Sequence, residues 1–166
     1  GLAYHAGEKL FLIDGYQKDG KASPIHLVAP GAKKAEKTIR MALPDGSAYQ
    51  GHAGGIAVNG DYVYVADGGK DRLLVFSYES IRDAANEESV RALGVFETAV
   101  SDTDRLGPAF VSVDGDQLVV GEFYRDPQYP TPESHKLTTL AGDYQQALAV
   151  VYELDGQAEF GIAPTP

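Results

Sequence analysis

Four residues of this chain have the types and settings that chemistry needs: His52 and the carboxylates Asp14, Asp67 and Glu122. His52 stands in the phrase Gly51-His52-Ala53-Gly54-Gly55, immediately ahead of an apolar run. Glycine neighbours let a backbone come close to a ligand or to another segment. An imidazole so placed can serve as general acid or base, metal ligand or hydrogen-bond donor. The alternative is a histidine that ties neighbouring loops together. Asp14, Asp67 and Glu122 each close an alternating apolar run at the same offset. Carboxylates repeated in register could hold a divalent cation (Ca²⁺, Mg²⁺ or Zn²⁺) through their oxygens. Asp14 and Asp67 are both followed by glycine, where an aspartate can instead open a turn by bonding its own backbone. Glu122 is followed by Phe123, which weakens the turn account there.

A second group lies in 123–146, a stretch rich in Pro, Tyr and Asp that carries Tyr124, Arg125, Tyr129, Glu133 and His135. Tyr and Arg are enriched at binding hot spots, and tyrosine rings stack on sugars and planar groups. Tyr16 and Lys18 occupy the matching place earlier in the chain. Tyr16, Tyr124, Arg125, Tyr129 and His135 are therefore the candidate ligand contacts. A proline-ordered loop covering a sheet edge is the competing reading. His5 and His26 are given no functional role.

These residues share a register because a phrase repeats. Leu2-Ala3-Tyr4-His5 and Leu10-Phe11-Leu12 flank Gly7; Ile56-Ala57-Val58-Asn59 and Tyr62-Val63-Tyr64-Val65 flank Gly60; Val111-Ser112-Val113-Asp114 and Gln117-Leu118-Val119-Val120 flank Gly115. Two short apolar runs around a glycine-acid turn predict a tight β-hairpin. The turn glycines are 53 and 55 residues apart. Strands are predicted near 2–5, 9–13, 24–29 and 37–43; near 55–58, 62–66, 72–78 and 91–97; and near 109–113, 117–122, 147–154 and 158–162. A helical turn is predicted within 79–88, which has good helix formers and neither glycine nor proline.

Four strand-like runs per unit at a period near fifty predict an all-β chain of β-propeller blades. The blades are three four-stranded antiparallel sheets, at about 1–50, 51–104 and 105–166. A compact three-sheet fold of another kind is the alternative. Three blades do not close a ring, which takes roughly four to eight. An open stack leaves two apolar faces in water. The expectation is half of a six-bladed ring, completed by a second copy or by another fragment of the same precursor. Antiparallel pairing puts the hairpins at Gly7, Gly60 and Gly115 on one face. His52, the three acids and the 123–146 insertion then fall on the other.

The chain has 166 residues, with 14 basic and 24 acidic side chains and a net charge of −10. That charge repels nucleic acid phosphates and anionic lipid, so no nucleic acid partner is expected. No segment approaches the length of a membrane span. The absence of cysteine removes disulfides, thiolate metal sites and cysteine nucleophiles. The chain starts at Gly1 without an initiator methionine, which fits a removed signal peptide. With Tyr, Gly and Asp abundant in turns, the expected location is extracellular. Phosphate-loop, nucleophile-elbow and H-E-x-x-H patterns are missing.

Across Gly51-His52-Ala53-Gly54-Gly55-Ile56-Ala57-Val58-Asn59-Gly60-Asp61-Tyr62-Val63-Tyr64-Val65-Ala66-Asp67 the chain resembles six-bladed propellers of the NHL-repeat and TolB-like kind. The likeness extends over all three units and is specific for the blade. Those families include lyases, lactonases and pure binding modules, and no complete metal or catalytic set of theirs can be carried onto this chain. Three functions stay open: a secreted module binding a small molecule, glycan or peptide at the mouth of a channel; a metal-assisted lyase or hydrolase with His52 as its catalytic residue; and a structural part of a larger assembly.

Overall fold

In the computed structural model, which describes residues 1–166, the three recurrent phrases form three antiparallel hairpins, each opening its own sheet. The first unit supplies β1 (Leu2–His5), β2 (Leu10–Asp14), β3 (Pro24–Val28) and β4 (Lys37–Ala42), paired in that order. The second supplies β5 (His52–Asn59), β6 (Tyr62–Gly68), β7 (Arg72–Ser77), a short helix α1 (Tyr78–Asp83), β8 (Ser89–Arg91) and β9 (Gly94–Glu97). The third supplies β10 (Phe110–Asp114), β11 (Gln117–Gly121), a separate hairpin of β12 (Leu137–Thr138) and β13 (Tyr144–Gln145), and β14 (Ala149–Glu153). Gly60 (φ 54°) and Gly115 (φ 61°) take left-handed turn positions that glycine fills without a Cβ penalty. The first hairpin has a longer turn, in which Lys9 (φ 54°) takes that conformation instead of Gly7.

The strand period of two decides how the sheets stack. Along β6, Val63 and Val65 enter a cluster shared with the first unit, where they join Leu12, Ile25 and Ile39. The intervening Tyr64 and Ala66 enter a cluster shared with the third unit, beside Val111, Leu118 and Tyr152. β7 divides in the same way, Leu74 and Phe76 to one side, Leu73 and Val75 to the other. The middle sheet is thus covered on both faces, which is why its strands read as nearly unbroken apolar runs. Each fully buried side chain of this size contributes about 1.5–3 kcal/mol. The first strands β1, β5 and β10 lie side by side with β5 central, so the sheets fan out from a common line.

The fourth strands depart from the sequence expectation. The run predicted over 91–97 is split: Ala92 N–H donates to Ala42 in the first unit, whereas Leu93 N–H donates to Val75 in the second. β8 therefore leaves its own unit and extends the first sheet, parallel to β4. The strand predicted over 158–162 is a 3₁₀ turn, Glu159–Gly161. Left-handed backbone at Phe160 (φ 57°) and Gly161 (φ 72°) cannot continue a ladder. The third sheet consequently has three strands. Helix α1 is also shorter than the 79–88 stretch. Ser77 caps its start by accepting from Ser80 N–H, at 3.2 Å. Its continuation is pulled toward β4, where Lys37 Nζ donates to the Ala84 carbonyl (2.9 Å) and Thr38 N–H donates to Asn86 Oδ1 (2.9 Å).

Candidate functional site

At the end opposite the tight hairpins, a cleft of about 1030 Å³ opens between the second and third units. Its polar lining includes His52, Asp71, Asp104, Arg105 and Glu122, with Tyr129 on the insertion side. His52 is placed by β5, whose first residues pair with the end of β6, His52 opposite Gly68. The following Gly54-Gly55 form a bulge. A Cβ on Gly54 would lie 2.4 Å from the Ala109 carbonyl oxygen, and one on Gly55 3.0 Å from Phe110 Cα. These glycines therefore serve close approach of the neighbouring sheet, one of the two uses open from sequence. The exposed His52 ring stacks on Tyr16, with centroids 4.0 Å apart and planes at 26°.

Behind the cleft wall sits His135, fully buried on the 3₁₀ turn Glu133–His135. Its Nδ1 lies 2.8 and 2.9 Å from the two Glu122 oxygens, and its Nε2 lies 3.1 Å from Asp104 Oδ1. Both contacts are hydrogen bonds together only when two protons are shared among the ring and the two carboxyls. Leu148 N–H also donates to Glu122, at 3.1 Å. The imidazole thereby joins the end of β11, the loop ahead of β10 and the insertion. The Asp104 carboxyl is held below the ordinary carboxylate range by its hydrogen bond to Ser134, then by His135.

The three acids in register do not converge. Buried Asp67 accepts from the Tyr49 hydroxyl at 2.7 Å and from Arg72 Nε at 2.8 Å. It is thus anchored by side chains rather than bonded to its own turn. Burial, and after it the hydrogen bond to Asp67, pushes the Tyr49 phenol far up. Asp14 is buried against the Gly1 amino group, which forms an ion pair with the carboxylate while donating to the Asp14 main-chain carbonyl at 3.3 Å. Burial raises the Asp14 pKa, against the opposing pull of that amino group. Glu122 belongs to the other sheet junction, with His135. No group of three or more His, Asp and Glu side chains is gathered for a metal ion. Of the expected ligand set Asp14, Asp67 and Glu122, each carboxylate is turned to a separate protein partner.

Of the insertion residues, Tyr129 reaches the cleft and stands edge-on to Phe123, 5.8 Å between centroids. Arg125 exchanges main-chain hydrogen bonds with Tyr129 (3.0 and 2.6 Å), and Tyr124 lies under Lys136 Nζ at 5.9 Å. Neither Tyr124 nor Arg125 is part of the cleft lining. Asp71, Asp104 and Arg105 were missed from sequence. For Asp104 and Arg105 the signal lay in the repeat, because the loop ahead of β10 is the counterpart of the loop carrying His52; Asp71, between β6 and β7, carried none. His26 bonds Thr38 Oγ1 across β3 and β4 (2.8 Å), and His5 stacks on Tyr78 at 3.9 Å, both away from the cleft.

Residues 50–75, from the loop before β5 into β7, match the model of the LVIVD repeat. Over 90% of its length the chain is similar in structure to 44% of a protein from Thermus thermophilus described as an oxidoreductase (glucose dehydrogenase), with 23% identity and a TM-score of 0.52. The sheets are β-propeller blades. This chain spans less than half the length of that structure, and the likeness establishes fold rather than activity. No curated protein is matched. In blade terms the cleft lies between the second and third blades.

Proposed function

We propose that this chain is a binding module whose cleft between blades two and three takes a small organic molecule presenting hydroxyl or ammonium donors. The observation that carries the reading is the lining itself. Two carboxylates (Asp71 and Asp104) share a single concave space with one guanidinium, Arg105, and one imidazole, His52, flanked by Phe110, Phe123 and Tyr129, while the buried Glu122 carboxylate is turned behind the wall to His135. Carboxylate acceptors suit a ligand that brings donors, while aromatic rims contribute contact area at small entropic cost. His135 supports the reading by holding Asp104 from behind.

A metal-assisted lyase or hydrolase draws no comparable support, since the acids in register are taken by Tyr49, Arg72, Gly1 and His135. The test is an NMR titration of the ¹⁵N-labelled chain with three probes: a monosaccharide, a polyamine and an amino acid. Saturable shifts confined to the cleft are expected with at least one probe, weakened about tenfold in Tyr129→Ala. Silence toward all three at millimolar concentration would overturn the proposal.

A further inference from the structure

Charge within the cleft narrows which donor-bearing ligand it takes. Apart from Glu122, which His135 engages from behind, the acids of the wall are Asp71 and Asp104, and the one guanidinium is Arg105. Arg105 is turned to its own loop, Nη1 donating to the Ser101 carbonyl at 3.1 Å and to the Asp102 and Asp104 carbonyls at 3.5 Å. Its Nε stands 3.8 Å from Glu97 on β9. Protein oxygens thus take up the positive charge of the lining. Asp71 is exposed, and none of the protein's side-chain donors reaches its carboxylate. A Cβ on Gly107 would lie 3.8 Å from Asp71 Oδ1, so this carboxylate stands beside the loop that carries Asp104.

The neutral part of the lining points the same way. Thr131 donates its hydroxyl to the Gln146 carbonyl, so that proton is not offered to a ligand. The hydroxyls of Thr103 and Tyr129 accept as readily as they donate, which leaves the His52 ring as the remaining obligate N–H donor among these side chains. A polyol brings an acceptor with every donor and would leave acceptors unmatched here. An ammonium group brings donors only. Phe123 and Tyr129 are 56% and 54% exposed and stand edge to face at 5.8 Å. In such a pair the ring that offers its edge keeps both faces free, and an aromatic face attracts a cation.

We propose that the cleft selects an organic cation: a primary ammonium group held by Asp71 and Asp104, on an aromatic or apolar body packed against Phe123 and Tyr129. This selectivity presupposes the binding role given above to the same cleft. It assigns a function to Asp71, whose carboxylate no contact within the protein requires. The net charge of −10 adds a long-range attraction for such a ligand.

Two probes of one shape separate charge from fit: benzylamine, cationic at neutral pH, and benzyl alcohol, which is neutral. In NMR titrations of the ¹⁵N-labelled chain, benzylamine is expected to bind about tenfold more tightly, with shifts at Asp71, Asp104 and Tyr129. Sodium chloride that shortens the Debye length from about 30 Å to about 8 Å should weaken benzylamine and leave benzyl alcohol unchanged. Asp71→Asn keeps the shape and removes the charge, so benzylamine affinity should fall about threefold while resonances outside the cleft stay those of the parent. Asp71→Ala repeats the measurement without an amide that could make contacts of its own. Equal affinity for the two probes, or benzylamine binding that ignores both substitutions, overturns the proposal. If benzyl alcohol or a monosaccharide shifts the cleft and benzylamine does not, the cation selectivity is wrong and the binding role of the cleft stands. Silence toward all three removes both.

Discussion

Glu122, with a side chain 5% exposed, depends on His135 and Leu148 for its donors. Removing the donor to a buried carboxylate leaves that carboxylate unsatisfied. His135→Ala is accordingly expected to cost about 3 kcal/mol in urea unfolding, with His135→Gln recovering part of it through its amide donor. Tyr49→Phe takes one of two side-chain donors from Asp67 and should cost about 1.5 kcal/mol, read in the same assay. Asp14 acts in the opposite sense. Burial raises its folded pKa above the unfolded value, so it favours the fold at low pH and loses that contribution as pH rises through the folded pKa. Asp14→Asn should therefore leave Tm unchanged near pH 3, below the ordinary aspartate value, and raise it at pH 7. Thermal unfolding at both pH values checks the sign. The register of the acids was readable from spacing, but their partners were not. Tyr49, Arg72 and His135 are distinguished from other polar residues only by where folding puts them.

At the scale of elements, the hairpins and their turns were legible because alternation and a turn glycine lie within a dozen contiguous residues. The fourth strands were not. Whether 89–97 runs as one strand depends on Ala42 and Val75, which accept from neighbouring residues in different sheets. The Phe160 ring lies over Gly94, and the Phe160 carbonyl accepts from the Tyr64 hydroxyl at 2.8 Å. Burial pushes that hydroxyl up to about 12. Packing between strands β5 and β10 gives a sharper test. Gly54→Ala drives a Cβ into the Ala109 carbonyl, a backbone atom that cannot swing away. The expected cost is about 2 kcal/mol, a fall in Tm of about 4–8 °C. Gly15→Ala, with open space around its Cβ position, is the control and should change stability by less than about 0.5 kcal/mol.

For the whole molecule, a net charge of −10 sets self-repulsion against the packing of the two cores. Raising salt screens the first and leaves the second. Tm should therefore rise between low and high sodium chloride, measured by thermal unfolding; a fall would show that attractive ion pairs outweigh the repulsion. The composition, the fifty-residue period and the alternation are properties of contiguous residues, and from them the all-β class, the blade repeat and the shared face of His52 and the insertion followed. Tertiary structure alone decided which acceptor met which donor. Asp104 and His135 are 31 positions apart, and Tyr49 and Asp67 are 18. Chain order carries no record of such approaches, because sheet stacking sets them through the summed packing of both cores.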